Sequence, residues 1–119
     1  MAIEFVEHTW IEITVKGGTG RLLVREPNAL EGARYVATLN RYSSALQAED
    51  VDAFEHTISA HVGMLTACVL ESEDITPAFP AGGSETDRRS WILRLPFSDV
   101  ARISTAVMSV GYPKNEHTA

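Results

Sequence analysis

The chain has 119 residues, enough for one domain whose core is built from side chains alone, without disulfides or metal. Its 45% hydrophobic and 22% charged content is that of a globular protein and excludes a disordered one. Sixteen Asp and Glu against ten Lys and Arg give a net charge of -6, which argues against a nucleic-acid binder, whose affinity depends on a basic face displacing counterions.

Met1-Ala2-Ile3-Glu4-Phe5 has no basic region and no long apolar run, so it reads as neither a signal peptide nor a membrane anchor. No segment approaches the ~18 apolar residues of a membrane span, and the expected location is cytoplasmic. Residues Trp10–Val15 then alternate, with Ile11, Ile13 and Val15 on one side and Trp10, Glu12 and Thr14 on the other, the pattern of a half-buried strand. Gly17-Gly18-Thr19-Gly20 supplies a reversal, and Leu22 and Val24 alternate again, so residues 9–25 are predicted to form a β-hairpin. A lone hairpin is marginal in water and must pack on helices or gain strands.

Pro27 ends the second strand, and Asn28 is the expected N-cap of a helix running to about Leu46. Tyr35, Val36, Leu39, Tyr42 and Leu46 form one apolar stripe, and Leu30, Ala33 and Ala37 form a second on a different side. Apolar residues on two sides imply a helix between two neighbours, one of them in this chain or in another molecule. Glu49-Asp50-Val51-Asp52 opens a second helix, capped by Asp50 or by Asp52, which has capping-box spacing to Glu55. Phe54, Ile58, Val62, Leu65 and Val69 line one face of it, and its expected end is near Leu70. Glu71, Glu73 and Asp74 then lie at the negative end of the helix dipole, so an arginine is expected to neutralise them.

Thr76–Ser84, with Pro77, Pro80, Gly82 and Gly83, is the clearest loop. The apolar run Trp91-Ile92-Leu93 with Leu95 favours a short helix over residues 85–95, a strand remaining open. Ser98 is the expected N-cap of a last helix carrying Val100, Ile103, Val107 and Val110, with Gly111 past its end and a frayed tail from Lys114. The predicted fold is α+β and mainly helical, an N-terminal β-hairpin packed on a small bundle of three to four helices. It is one domain over 1–119, with the hairpin at 9–25, a helix pair at 28–70, a loop at 76–84 and a C-terminal helical segment at 85–111.

The side chains that carry chemistry have bland explanations. His56 and His61 are five apart, about 140° around a helix, whereas a helical two-histidine metal site needs a spacing of three or four. The glycines at 17–20 precede a strand and lack the Lys-Ser/Thr of a phosphate loop. The carboxylates at 49, 50, 52 and 55 lack the alternation of a calcium loop. Cys68, the single cysteine, sits in an apolar helical segment as a small buried hydrophobe. No catalytic residue, metal ligand or cofactor is expected. The large residues Trp10, Tyr35, Tyr42, Trp91 and Phe97 are of the types enriched at protein interfaces.

A hairpin ending in Val24-Arg25-Glu26-Pro27, a helix pair, an acidic and Pro-containing break, and a helix start at Leu95-Pro96-Phe97-Ser98-Asp99 follow one another over residues 10 to 110. This order resembles the tail assembly chaperones of long-tailed bacteriophages. The resemblance implies a non-enzymatic protein in the host cytoplasm that coats the phage tape-measure protein before polymerisation, recruits tail-tube subunits and is absent from the finished virion. It also implies the short form, or its equivalent, of a product that is often extended by frameshifting. The expected interface is Leu30, Ala33 and Ala37, or the Tyr35–Leu39–Tyr42 stripe, presented as a groove to a helix. The rivals are a virion component, such as a head–tail connector or minor tail subunit assembling by self-association, and a small enzyme or ligand-binding domain with His61 in its pocket.

Overall fold

The computed structural model describes residues 8–15 and 17–110, the side chain of Leu46 apart. The expectations for Met1–Phe5, Gly111 and the tail from Lys114 lie outside the described residues. Strands β1 (His8–Val15) and β2 (Gly18–Arg25) pair antiparallel in unbroken register, from His8 opposite Arg25 to Val15 opposite Gly18. Gly17 takes φ +80° in the reversal, a conformation open to a residue without Cβ. The other two glycines of the cluster belong to β2. Ile11, Ile13 and Val15 join Leu22 and Val24 on the face that meets the helices, as their alternation requires.

Helix α1 (Ala29–Gln47) opens on a reciprocal cap. The Glu31 backbone N–H donates to Asn28 Oδ1 at 2.8 Å, and the Asn28 N–H donates to Glu31 Oε1 at 2.9 Å. Helix α2 (Val51–Cys68) is capped by Asp50, whose carboxylate accepts from the Asp52 and Ala53 N–H groups; Asp52 is not the cap.

The next element departs from the sequence reading. Helix α2 stops at Cys68, and the chain passes directly into β3 (Val69–Glu73), which pairs antiparallel with β2 across an irregularity at Leu23/Val24. Val69 is extended at ψ 128° while its N–H still bonds to the Leu65 carbonyl, so one residue ends the helix and begins the strand. The exchange covers the second edge of β2 and buries Val69 completely opposite Val24. Glu71 and Glu73 therefore stand on a strand and not at a helix terminus. The arginine expected for them is Arg21, which pairs with Glu73 across the sheet.

The segment from Asp74 to Ser84 contains no helix or strand, as expected, yet it is pinned to the body. Phe79 is buried edge-on against Trp91, with centroids 5.2 Å apart, and its N–H donates to Ser72 Oγ at 2.8 Å. Trp91 Nε1 donates to the carbonyl of Pro77 at 2.8 Å. Residues 85–95 are resolved in favour of a helix, α3 (Glu85–Leu93), started by a capping box between Ser84 and Asp87. Helix α4 (Phe97–Met108) begins one residue before Ser98; Pro96 occupies the N-cap and makes no side-chain bond, so Ser98 is not the cap. Its Val100, Ile103 and Val107 are buried.

The result is a three-stranded antiparallel sheet, order β1-β2-β3, on four helices, α+β and mainly helical. Helices α1, α3 and α4 all pack on α2, and α4 also reaches β1. There Arg102 pairs with Asp99 and donates to the Thr14 carbonyl at 2.6 Å. Among the described residues, no helix is long and apolar enough to cross a membrane.

Two glycines test this packing in opposite directions. A Cβ on Gly20 would stand 2.5 Å from Ile75 Cγ1 and 2.9 Å from the Glu73 carbonyl, whereas a Cβ on Gly63 in α2 meets nothing within 4 Å. Gly20→Ala should destabilise by about 1–3 kcal/mol through overpacking against backbone. Gly63→Ala should stabilise by about 1 kcal/mol through helix propensity. Urea unfolding of both variants measures the two signs.

Candidate protein-binding site

The two apolar stripes of α1 have different fates. Tyr35 is buried, and Leu39 and Tyr42 are half-buried. Tyr35 lies edge-on to His61 of α2 with its hydroxyl 2.9 Å from Nδ1, and Tyr42 stacks on His56 at 4.7 Å with the rings 8° from parallel. This stripe is how α1 holds α2. Leu30 is 58% exposed, and Ala33 and Ala37 are exposed with it. Val36, which spacing assigns to the inward stripe, is instead 44% exposed. The outward face of α1 is therefore apolar along its first half.

Beside that face runs a groove of about 290 Å³ between α1 and α2. Its α1 wall is Glu31, Arg34, Tyr35 and Thr38; its α2 wall is Ser59, Ala60, Gly63, Met64 and Ala67. Small residues at 59, 63 and 67 recur every fourth position, which puts them on one helical face and leaves the floor low. Sequence reasoning missed this wall because it followed the large apolar residues of the segment; the four-residue spacing of small residues was the available signal. A second recess of about 320 Å³, lined by Arg25, Thr66, Glu85 and Arg88, shares Gly63 and Ala67 with the first. Arg88 donates to the Thr66 carbonyl at 3.2 Å.

The charged groups at the rim are fixed in part. Both terminal nitrogens of Arg25 meet both carboxylate oxygens of Glu31 at 2.8 Å. This paired hydrogen bond holds the Glu31 carboxyl below its ordinary pKa and raises that of Arg25. Arg34 lines the groove with its side chain exposed.

His61, Tyr35, Asp50 and Cys68 each have a structural role. Burial lowers the pKa of His61 and raises that of Tyr35, so the ring is neutral and the phenol protonated, and the phenol is the natural donor to Nδ1. Ser104, beside the same phenol, turns its hydroxyl onto the Val100 carbonyl at 2.8 Å. Asp50 caps α2. Cys68 is fully buried, and burial pushes its thiol up to about 11, which leaves it a packing residue. No cluster of three or more His, Cys, Asp or Glu that could hold a metal occurs among the described residues.

The His61 environment sets a pH signature. The unfolded chain takes up a proton near the ordinary value of ~6.5 while the folded chain resists it. The stability of the folded state is therefore complete above that pH and declines below it, by at most about 1.4 kcal/mol per pH unit. Glu31 acts in the same direction only at lower pH, below the ordinary carboxylate value, because its folded pKa is depressed. Unfolding free energies measured from pH 8 to pH 5 should show the decline in the native protein and a flatter profile in His61→Gln. Tyr35→Phe should cost about 1–2 kcal/mol at neutral pH by stranding Nδ1.

Comparison of the chain with protein-family models, with curated proteins and with solved structures returns no match.

Proposed function

We propose that this protein is a non-enzymatic binding protein that lays the groove between α1 and α2 along a helical partner. The observation that carries the reading is the outward apolar face of α1, Leu30, Ala33 and Ala37, bordering a low-floored groove at Gly63. An amphipathic helix docks on such a strip through apolar anchors at helical spacing, with polar groups at the rim. Glu31 and Arg34 supply that rim here. The Val24-Arg25-Glu26-Pro27 and Leu95-Pro96-Phe97-Ser98-Asp99 steps resemble those of the tail assembly chaperones of long-tailed bacteriophages, and on that resemblance the proposed partner is the phage tape-measure protein. The role is then that of a tail assembly chaperone, working in the host cytoplasm and handing the coated partner to tail-tube subunits. A structural virion component is the second reading, favoured by the open edge of β1 described below.

The test separates folding from docking. Leu30→Asp and Gly63→Leu change surface positions that the core does not use. Both should keep the native circular dichroism spectrum and lose about tenfold or more in affinity for the tape-measure protein, the loss expected of an anchor residue. Unchanged affinity in both folded variants overturns the groove. Mass spectrometry of purified particles should not find the chain if it is a chaperone; its presence there supports the virion-component reading.

A further inference from the structure

The two edges of the sheet are protected unequally. Strand β3 is five residues long, carries Glu71 and Glu73, and meets β2 through an irregular register. Short length, charge and irregularity are the devices that keep an edge from pairing with another chain. Strand β1 is neither short nor irregular. It is eight residues long and regular, and contains no proline and a single carboxylate, Glu12. Among the described residues, no strand lies on its outer side.

Which groups that edge presents follows from Arg102. The Thr14 carbonyl accepts from the Arg102 side chain of α4, so it points away from β2. In an antiparallel ladder, alternate residues direct both N–H and C=O to the same neighbour. Glu12, Trp10 and His8 therefore direct theirs outward as Thr14 does. Arg102 of α4 occupies the Thr14 carbonyl, Glu12 flanks a recess that Arg102, Ile103 and Ala106 of α4 share, and His8 and Trp10 are exposed beyond it.

We infer that β1 is a self-pairing edge, which joins β1 of a second copy antiparallel about a two-fold axis at Trp10 to make one continuous six-stranded sheet. Among the described residues, centring on Thr9 pairs only His8 with Trp10 and leaves Glu12 without a partner, and the other registers are settled by elimination. Pairing must match outward residue to outward residue, and must keep Ile11 and Ile13 on the helix-facing side. Centring on Ile11 sets His8 opposite Thr14, whose carbonyl Arg102 already holds. Centring on Glu12 sets two carboxylates against each other and also uses Thr14. Centring on Trp10 uses the three free residues alone. It sets His8 opposite Glu12 of the second copy, where an imidazole N–H can donate to the carboxylate, and brings the two Trp10 rings side by side on the outer face. Trp10 is exposed there, with the Arg21 guanidinium 4.8 Å over its ring, and Arg21 is the β2 neighbour of Glu12. The second copy is the fitting occupant because the edge complements itself in this one register.

The full chain should sediment as a concentration-dependent dimer of twice its 13.0 kDa, within the range up to about 1 mM where short interfaces associate. Glu12→Pro removes an outward N–H and leaves the bonds to β2 intact; it should weaken the dimer by about tenfold or more with circular dichroism unchanged. Glu12→Lys should weaken it as well, by removing the carboxylate that accepts from His8, and the double variant H8E/E12K should restore it by exchanging the pair. A native chain that stays monomeric at ~1 mM overturns the inference. So does a dimer that survives Glu12→Pro, one that H8E/E12K fails to restore, or one abolished by Leu30→Asp on α1. Capture of an unrelated extended peptide by a monomeric chain likewise overturns it. The α1 groove and this edge are on different elements, so failure of either leaves the other standing.

Discussion

The junction at Cys68 and Val69 governs this architecture. Helix and strand meet there without an intervening residue, and both side chains are fully buried. Helix α2, which receives α1, α3 and α4, is thereby welded to the sheet through β3. A short connecting loop would let the hairpin pivot on the bundle; a direct junction removes that freedom, because the Val69 N–H still belongs to the helix while its backbone is already extended. The hydrophobic contacts of Leu22, Val24, Leu65 and Ile103 then form one continuous core.

A second joint lies at the other end of the sheet. The Arg25 guanidinium at the end of β2 grips the Glu31 carboxylate in the first turn of α1, and the same carboxylate caps Asn28. One acidic group thus satisfies a helix terminus and a strand terminus together, which fixes the turn through Glu26 and Pro27. Removing Arg25 leaves the half-buried Glu31 carboxylate with only the Asn28 N–H, and removing Glu31 leaves the Arg25 guanidinium with only the Glu26 carbonyl, a larger loss than a surface ion pair incurs.

Much of this was legible in the sequence because periodicity reports burial. The alternation of Ile11, Ile13 and Val15, the helical stripe through Tyr35 and Leu39, and the cap at Asn28 are each local signals that local structure obeys. Strand β3 was not legible for a physical reason. Val69 and Leu70 continue the apolar spacing of α2, and a five-residue strand gains its stability from β2, 45 or so residues earlier in the chain, through pairing that no window detects. The anchoring of Phe79 on Trp91 is long-range in the same sense. At the candidate site, the outward stripe was visible as a second apolar side of α1, but the groove was not, because a groove is defined by side chains that are small.

Arg102 of α4 closes onto Thr14, 88 positions earlier in the chain. The first and last described elements therefore complete each other, and Ile13 and Ile103 share one interior. During synthesis the ribosome must deliver every residue from Thr14 through Arg102 before this clasp shuts. Until then the hairpin, made before the helices, waits with an oily underside exposed to whatever quality-control machinery the cell provides.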